Sequence, residues 1–189
     1  MEMDQFGILK GAKQVPSPNF NQRPANINID LLVIHNISLP PGKFGGQWIE
    51  ALFTNQLNAS EHPYFAKIYQ LKVSAHLLIK RTGEVVQFVA INERAWHAGQ
   101  SSFEGRDNCN DYSIGIELEG TDNINFTAQQ YQQLVRISLL IMKHYPLITT
   151  KRITGHENIA PGRKTDPGKH FDWQHFFQSL KNTERNQYK

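Results

Sequence analysis

Cysteine is nearly absent. Cys109 stands alone among 189 residues, so no disulfide can form within the chain and a disulfide-stapled secreted fold is excluded. Nor is there a block of like charge. Lys and Arg number 20 against 17 Asp and Glu, a formal net charge of +3, without the basic cluster that a polyanion binder carries. No nucleic-acid partner is expected on that ground. Long apolar runs are missing as well. The longest, Leu31–Ile34 and Ile137–Met142 (interrupted by Ser138), are core-sized and fall short of the roughly 18–20 residues of a membrane span, so no membrane partner is expected either. The opening Met1-Glu2-Met3-Asp4 brings acids where a secretory signal brings basic residues, and no apolar stretch follows. The expected location is the cytoplasm.

What is present is enough apolar material for a packed core: 39% hydrophobic residues, with 11 Phe and 3 Trp. Prolines 16, 18 and 24 keep the first 27 residues out of a helix and predict an extended arm lying over the domain. The continuous apolar stretch Asp30–His35 has the length of a strand buried on both faces. Asn36–Gly46, rich in Gly and Pro, is loop, and Ile49, Leu52, Phe53 and Leu57 fall at the spacing of a short helix. Ser74–Lys80 and Val85–Ala90 read as two strands around a turn at Gly83. Tyr112–Leu118 alternates, with Ile114, Ile116 and Leu118 on one face and Ser113, Gly115 and Glu117 on the other. A helix is predicted over Ala128–Tyr145, with Thr127 and Gln130 as a capping box, Phe126 stapled onto Tyr131 and Pro146 as the stop. Arg152–Gly155 is a short strand and His156–Gly168 a loop. Asp172 then caps a last helix carrying Trp173, Phe176, Phe177 and Leu180, and the chain is expected to fray after Ser179. The expectation is one α/β domain over residues 17–180, with an extended arm over 1–16 and a polar tail over 181–189.

Of the eight histidines, His62, His144, His170 and His175 read as surface or packing residues. His76, on a strand face, reads as a core residue or one supporting a ligand. His35 and His156 differ, because each ends a strand that opens into a Gly/Pro loop, and rigid strand ends are where folds display chemistry. Asp166 lies in the loop after His156. Two imidazoles and a carboxylate suffice for zinc with a fourth position left for water, although spacing alone admits other choices. Lys164, two residues before Asp166, emerges on the same side of an extended loop. Glu117 lies on the polar face of its strand, and Gly115 on that face leaves room for something large to approach. A carboxylate beside metal-activated water can take its proton, and an ammonium can steady an oxyanion. Cys109 has no activating base in view and is not expected to be a nucleophile.

The segments Leu32–Asn36, Ser74–His76, Ala95–Gly99, Asn110–Gly120 and Gly155–Gly168 together resemble the zinc N-acetylmuramoyl-L-alanine amidases, most closely their cytosolic 1,6-anhydro-muramyl-peptide branch of the AmpD type. The resemblance runs from about Ser17 to about Leu180, and its last two segments are the most specific. It implies a central mixed β-sheet flanked by α-helices, and Zn²⁺ bound by His35, His156 and Asp166. It also implies Glu117 as the proton-accepting base and Lys164 as the oxyanion stabiliser. The substrate it implies is an anhydro-muramyl-peptide from cell-wall turnover, cut at the lactyl–L-alanine amide; a monomer is expected, although the sequence does not fix the oligomeric state. Lys72, Ala95, Trp96, His97 and Asn108 are the substrate-contact candidates. Lys72 and Asn108 stand where the family carries arginines, with Arg106 as a nearby substitute for the charge lost at Asn108. The alternatives are a muropeptide-binding module without hydrolysis, and a periplasmic amidase acting on intact wall.

Overall fold

The structure, a computed structural model, describes residues 1–187. Six strands build a central mixed sheet: β1 (Lys13–Gln14), β2 (Leu31–Ile37), β3 (Leu77–Ile79), β4 (Val85–Gln87), β5 (Ser113–Glu119) and β6 (Ile153–Gly155). Their spatial order is β6-β2-β5-β3-β4-β1. β2, β5, β6 and β3 run parallel as neighbours, β4 turns back antiparallel on β3, and β1 pairs parallel with β4 at the edge. Leu31–Ile34 is a continuous apolar run because β2 sits inside the sheet and is covered on both faces.

The helices are α1 (Trp48–Phe53), α2 (Phe65–Ile68), α3 (Ala128–His144), α4 (His156–Ile159) and α5 (Trp173–Gln187). Alternation along the strands sorts them into layers. Leu32 and Ile34 of β2, with Ile114, Ile116 and Leu118 of β5, pack into one core cluster with Leu134, Ile141, Phe176 and Leu180 of α3 and α5. Leu78 and Val86 point the other way, into a cluster with Ile49, Phe53 and Phe65 of α1 and α2. His35, Gly115 and Glu117 are out of phase with the α3/α5 side, so their side chains emerge on the opposite face.

Several boundaries differ from the sequence expectation, each for a local reason. β3 and β4 are shorter than the expected Ser74–Lys80 and Val85–Ala90, because Ser74 and His76 give their N–H groups to the Trp96 and Gly115 carbonyls and the Phe88 and Val89 N–H groups both turn to the His76 carbonyl. α1 ends at Phe53, and Leu57 is buried beyond it, past Asn55 at φ +61°. The loop expected from His156 opens with the turn of α4. Where the chain was expected to fray after Ser179, α5 continues to Gln187, since extending a formed helix fixes one residue per added bond; the rest of the expected tail, 188–189, lies outside the described residues. The N-terminal segment is extended, and β1 sews it to the sheet edge. Pairing of Phe20–Asn21 with Arg94–Ala95 and of Glu2–Met3 with Leu9–Lys10 adds two small ribbons. Among the described residues no helix is long and apolar enough to cross a membrane.

Candidate active site

Three neighbouring parallel strands deliver the site at their carboxyl ends. His35 of β2 and Glu117 of β5 are register partners. Gly155 of β6 pairs with Ile34, so His156, the next residue, arrives beside His35. The following loop folds back, its Asp166 carbonyl accepting the Glu157 N–H at 2.9 Å, and presents the Asp166 carboxylate to both rings. Asn36, just after His35, fixes that return: its side-chain amide donates to Asp122 Oδ1 at 2.7 Å and to the Pro167 carbonyl at 3.0 Å.

His35 Nδ1 lies 2.9 Å from His156 Nδ1 and 3.0 Å from Asp166 Oδ2, and His156 Nδ1 lies 3.0 Å from the same oxygen. The three donors converge from positions up to 131 residues apart in the chain. Their chemistry suits a divalent cation. His156 Nε2 meets the Ala98 carbonyl at 3.0 Å, and a carbonyl only accepts, so Nε2 carries the proton and Nδ1 turns its lone pair to the centre. Burial lowers the His35 pKa to about 4, against the pull of Asp166, so that ring is neutral. Burial alone would raise the Asp166 pKa, but hydrogen bonds to His156 and His35 outweigh it and hold the group well below the usual carboxylate range. Neutral imidazole and ionised carboxylate are the forms that bind metal.

Glu117 is buried, and its Oε2 has no hydrogen-bond partner. Burial, then the nearby Asp166 charge, pushes its pKa well above the ordinary value, with Lys164 opposing them. An orphaned carboxylate oxygen in such a place is costly and marks a group held ready for something. Glu117, Lys164, His156 and Asp166 all line one cleft of about 470 Å³, with Lys164 exposed at its rim.

The substrate-contact candidates are placed differently from one another. Trp96 and His97 line this cleft. Trp96 is anchored by its indole N–H on Asn21 Oδ1 at 2.6 Å. Lys72 is exposed between Leu71 and Val73, which line the cleft, but does not line it itself. Ala95 is fully buried in the α1/α2 core. Asn108, in the left-handed region at φ 58°, borders a separate depression with Ser101 and Arg163. Arg106, the nearby substitute for the charge lost at Asn108, pairs with Asp30 at 2.5 Å and lies over the Tyr112 ring. Gly115 does leave room for something large to approach, and what approaches is the His97 ring, with which a Cβ there would collide. Cys109 is buried, with Sγ 3.2 Å from the Tyr112 hydroxyl. Asn36 and Asp122 also line the cleft and were given no role from the sequence; the signal for Asn36 was its place beside His35 in the Leu32–Asn36 segment, and Asp122 had none.

A family model described as N-acetylmuramoyl-L-alanine amidase matches residues 25–169. The chain is 58% identical over 170 residues to the 1,6-anhydro-N-acetylmuramyl-L-alanine amidase AmpD of Citrobacter freundii, covering 90% of each protein. Its structure superposes on a crystal structure of an AmpD selenomethionine derivative with a TM-score of 0.91, at 56% identity, covering 95% of this chain and 99% of that one. It also resembles the N-acetylmuramyl-L-alanine amidase AmiD of Escherichia coli in complex with the substrate anhydro-N-acetylmuramic acid-L-Ala-D-γ-Glu-L-Lys. There the TM-score is 0.59 and the identity 29%, over 84% of this chain and 60% of that one.

Proposed function

The chain belongs to the N-acetylmuramoyl-L-alanine amidase family, and on that premise we propose that it cleaves the lactyl–L-alanine amide of 1,6-anhydro-N-acetylmuramyl-peptides in the cytoplasm, during peptidoglycan recycling. It is an amide hydrolase. The observation that carries the hydrolytic reading is the meeting, in one cleft, of the converging His35, His156 and Asp166 donors with the unpartnered Glu117 carboxyl and the Lys164 ammonium, and the similarity to the AmpD amidase carries the substrate. A binding module has no use for a buried, unpartnered carboxyl beside a metal-ligand set.

His35, His156 and Asp166 are the residues that would hold zinc, which when bound supplies Lewis acidity, polarising the scissile carbonyl and acidifying the attacking water. Glu117 then has a defined task. Its free Oε2 takes the proton of the attacking water and returns it to the departing alanine nitrogen, one carboxyl serving as base and then as acid. Burial makes that carboxylate a stronger base than an exposed one. Lys164, on the loop that also carries Asp166, offers its charge to the oxyanion of the tetrahedral intermediate. The Trp96 indole presents a flat apolar face suited to a sugar ring.

Glu117→Gln tests the assignment. Zinc content is expected to match the parent, while hydrolysis of an anhydro-muramyl-tripeptide, followed by mass spectrometry, falls by about 10²–10⁴. Parental turnover in this variant removes Glu117 from the mechanism.

A further inference from the structure

His97 was counted above among the residues facing the cleft, yet both of its ring nitrogens are already engaged beneath it. Nδ1 lies 2.9 Å from His35 Nε2, and Nε2 lies 3.0 Å from Ser113 Oγ. Its ring occupies the place that a side chain at residue 115 would fill, so glycine there is what lets it lie against β5. The next residue, Ala98, lends its carbonyl to His156 Nε2. Asn110 Oδ1 accepts the backbone N–H of both, His97 at 3.1 Å and Ala98 at 2.8 Å, and Arg163 also donates to the Ala98 carbonyl, at 2.6 Å.

We propose that His97 and Ala98, clamped by Asn110, form the positioning element of the metal centre, with His97 setting the tautomer and direction of His35 while the Ala98 carbonyl sets those of His156. The proposal rests on the zinc reading above and deepens it. The proton inventory gives it a direction. For His35 to offer Nδ1 to a cation, its proton must sit on Nε2, where the acceptor within reach is His97 Nδ1. His97 must then carry its own proton on Nε2 and donate to Ser113 Oγ, which can accept because a hydroxyl turns either way. The opposite direction, with Ser113 donating and His97 protonated on Nδ1, would force the His35 proton onto Nδ1 and spoil the ligand. A two-residue segment thus governs both imidazoles of the centre, the kind of outer support that typically controls metal affinity by about 10–100-fold. With neither nitrogen free, His97 is a positioning residue and not a contact for substrate polar groups.

The test compares His97→Phe, which keeps a ring against Gly115 but loses the acceptor, with His97→Asn, whose Oδ1 takes the place of Nδ1. Zinc dissociation constants are measured by chelator competition on the full chain, and thermal unfolding of each metal-free variant reports folding. His97→Phe is expected to weaken zinc by about 10–100-fold, with His97→Asn recovering at least half of that loss on a logarithmic scale. Nitrogen-15 NMR of the zinc-loaded parent is expected to place the His97 proton on Nε2. Parental zinc affinity in a folded His97→Phe overturns the proposal, as does an Asn variant no better than Phe. If His97→Phe does not fold, the parent spectrum decides, since a His97 proton on Nδ1 is incompatible with the relay. A parent that binds no zinc overturns the zinc reading itself, which parental affinity in His97→Phe leaves standing.

Discussion

His76 shows how a buried ring is held neutral. Its Nδ1 accepts the Gly115 N–H at 3.0 Å, so its proton sits on Nε2 and goes to the Glu93 carbonyl at 3.0 Å. Every polar atom is satisfied with no charge. Beside it the Arg23 guanidinium, 3.2 Å away, donates to the carbonyls of Ile91, Asn92, Asn110, Asp111 and Ser113 and ties the N-terminal segment to the amino end of β5. Burial, and then the Arg23 charge, lowers the His76 pKa to about 3. Below the unfolded value near 6.5 the unfolded chain takes up a proton that the folded ring refuses, so stability is full above pH 6.5 and is lost as pH falls toward 3. His35 and His97 act in the same direction, and Glu117, whose pKa is raised, in the opposite one. For metal-free protein, urea midpoints at pH 7 and pH 5 should show a loss of up to about 1.4 kcal/mol per pH unit from each such histidine. His76→Gln should flatten that slope. Equal slopes in parent and variant would contradict the assignment to His76.

At the scale of elements, α3 carries its own start signal and uses it twice. Thr127 Oγ1 accepts the Gln130 N–H at 3.1 Å while Gln130 Oε1 accepts the Thr127 N–H at 3.0 Å. The Gln130 amide then donates to the Ile79 and Glu119 carbonyls, binding the helix start to the ends of β3 and β5. Thr127→Ala should cost about 1 kcal/mol in chemical denaturation, and an unchanged midpoint would mean the cap is idle. This cap, the Phe126–Tyr131 staple and the Asp172 cap on α5 were legible in the sequence because each needs only residues within five positions. The alternation of β5 was legible for the same reason, and it assigned faces correctly. What covers a face was not. Gly115 read as room for something large, and the fold fills that room with His97 from a separate loop, a partner the sequence did not name. Arg106 read as a nearby substitute for the charge lost at Asn108, and the fold pairs it with Asp30. Contacts between distant segments are set by sheet order, which periodicity does not encode.

Across the whole molecule, a mostly parallel sheet turns the ends of β2, β5 and β6 toward one mouth, and open α/β sheets bind ligands at the carboxyl ends of their strands. His35, His156 and Asp166 enter from the centre of the sheet, its border and a returning loop, so a cation held there joins three parts of the chain that only the folded state brings together. Binding to the folded form alone stabilises it by mass action, so metal removal should lower the unfolding temperature as well as stop hydrolysis. The most direct measurement is incubation of anhydro-N-acetylmuramyl-tripeptide with the zinc-loaded chain, with the chelated chain, and with the chelated chain given zinc again, each read by mass spectrometry. The account predicts anhydro-N-acetylmuramic acid and free tripeptide in the first and third samples and intact substrate in the second. Intact substrate in all three, or equal cleavage in all three, would contradict it.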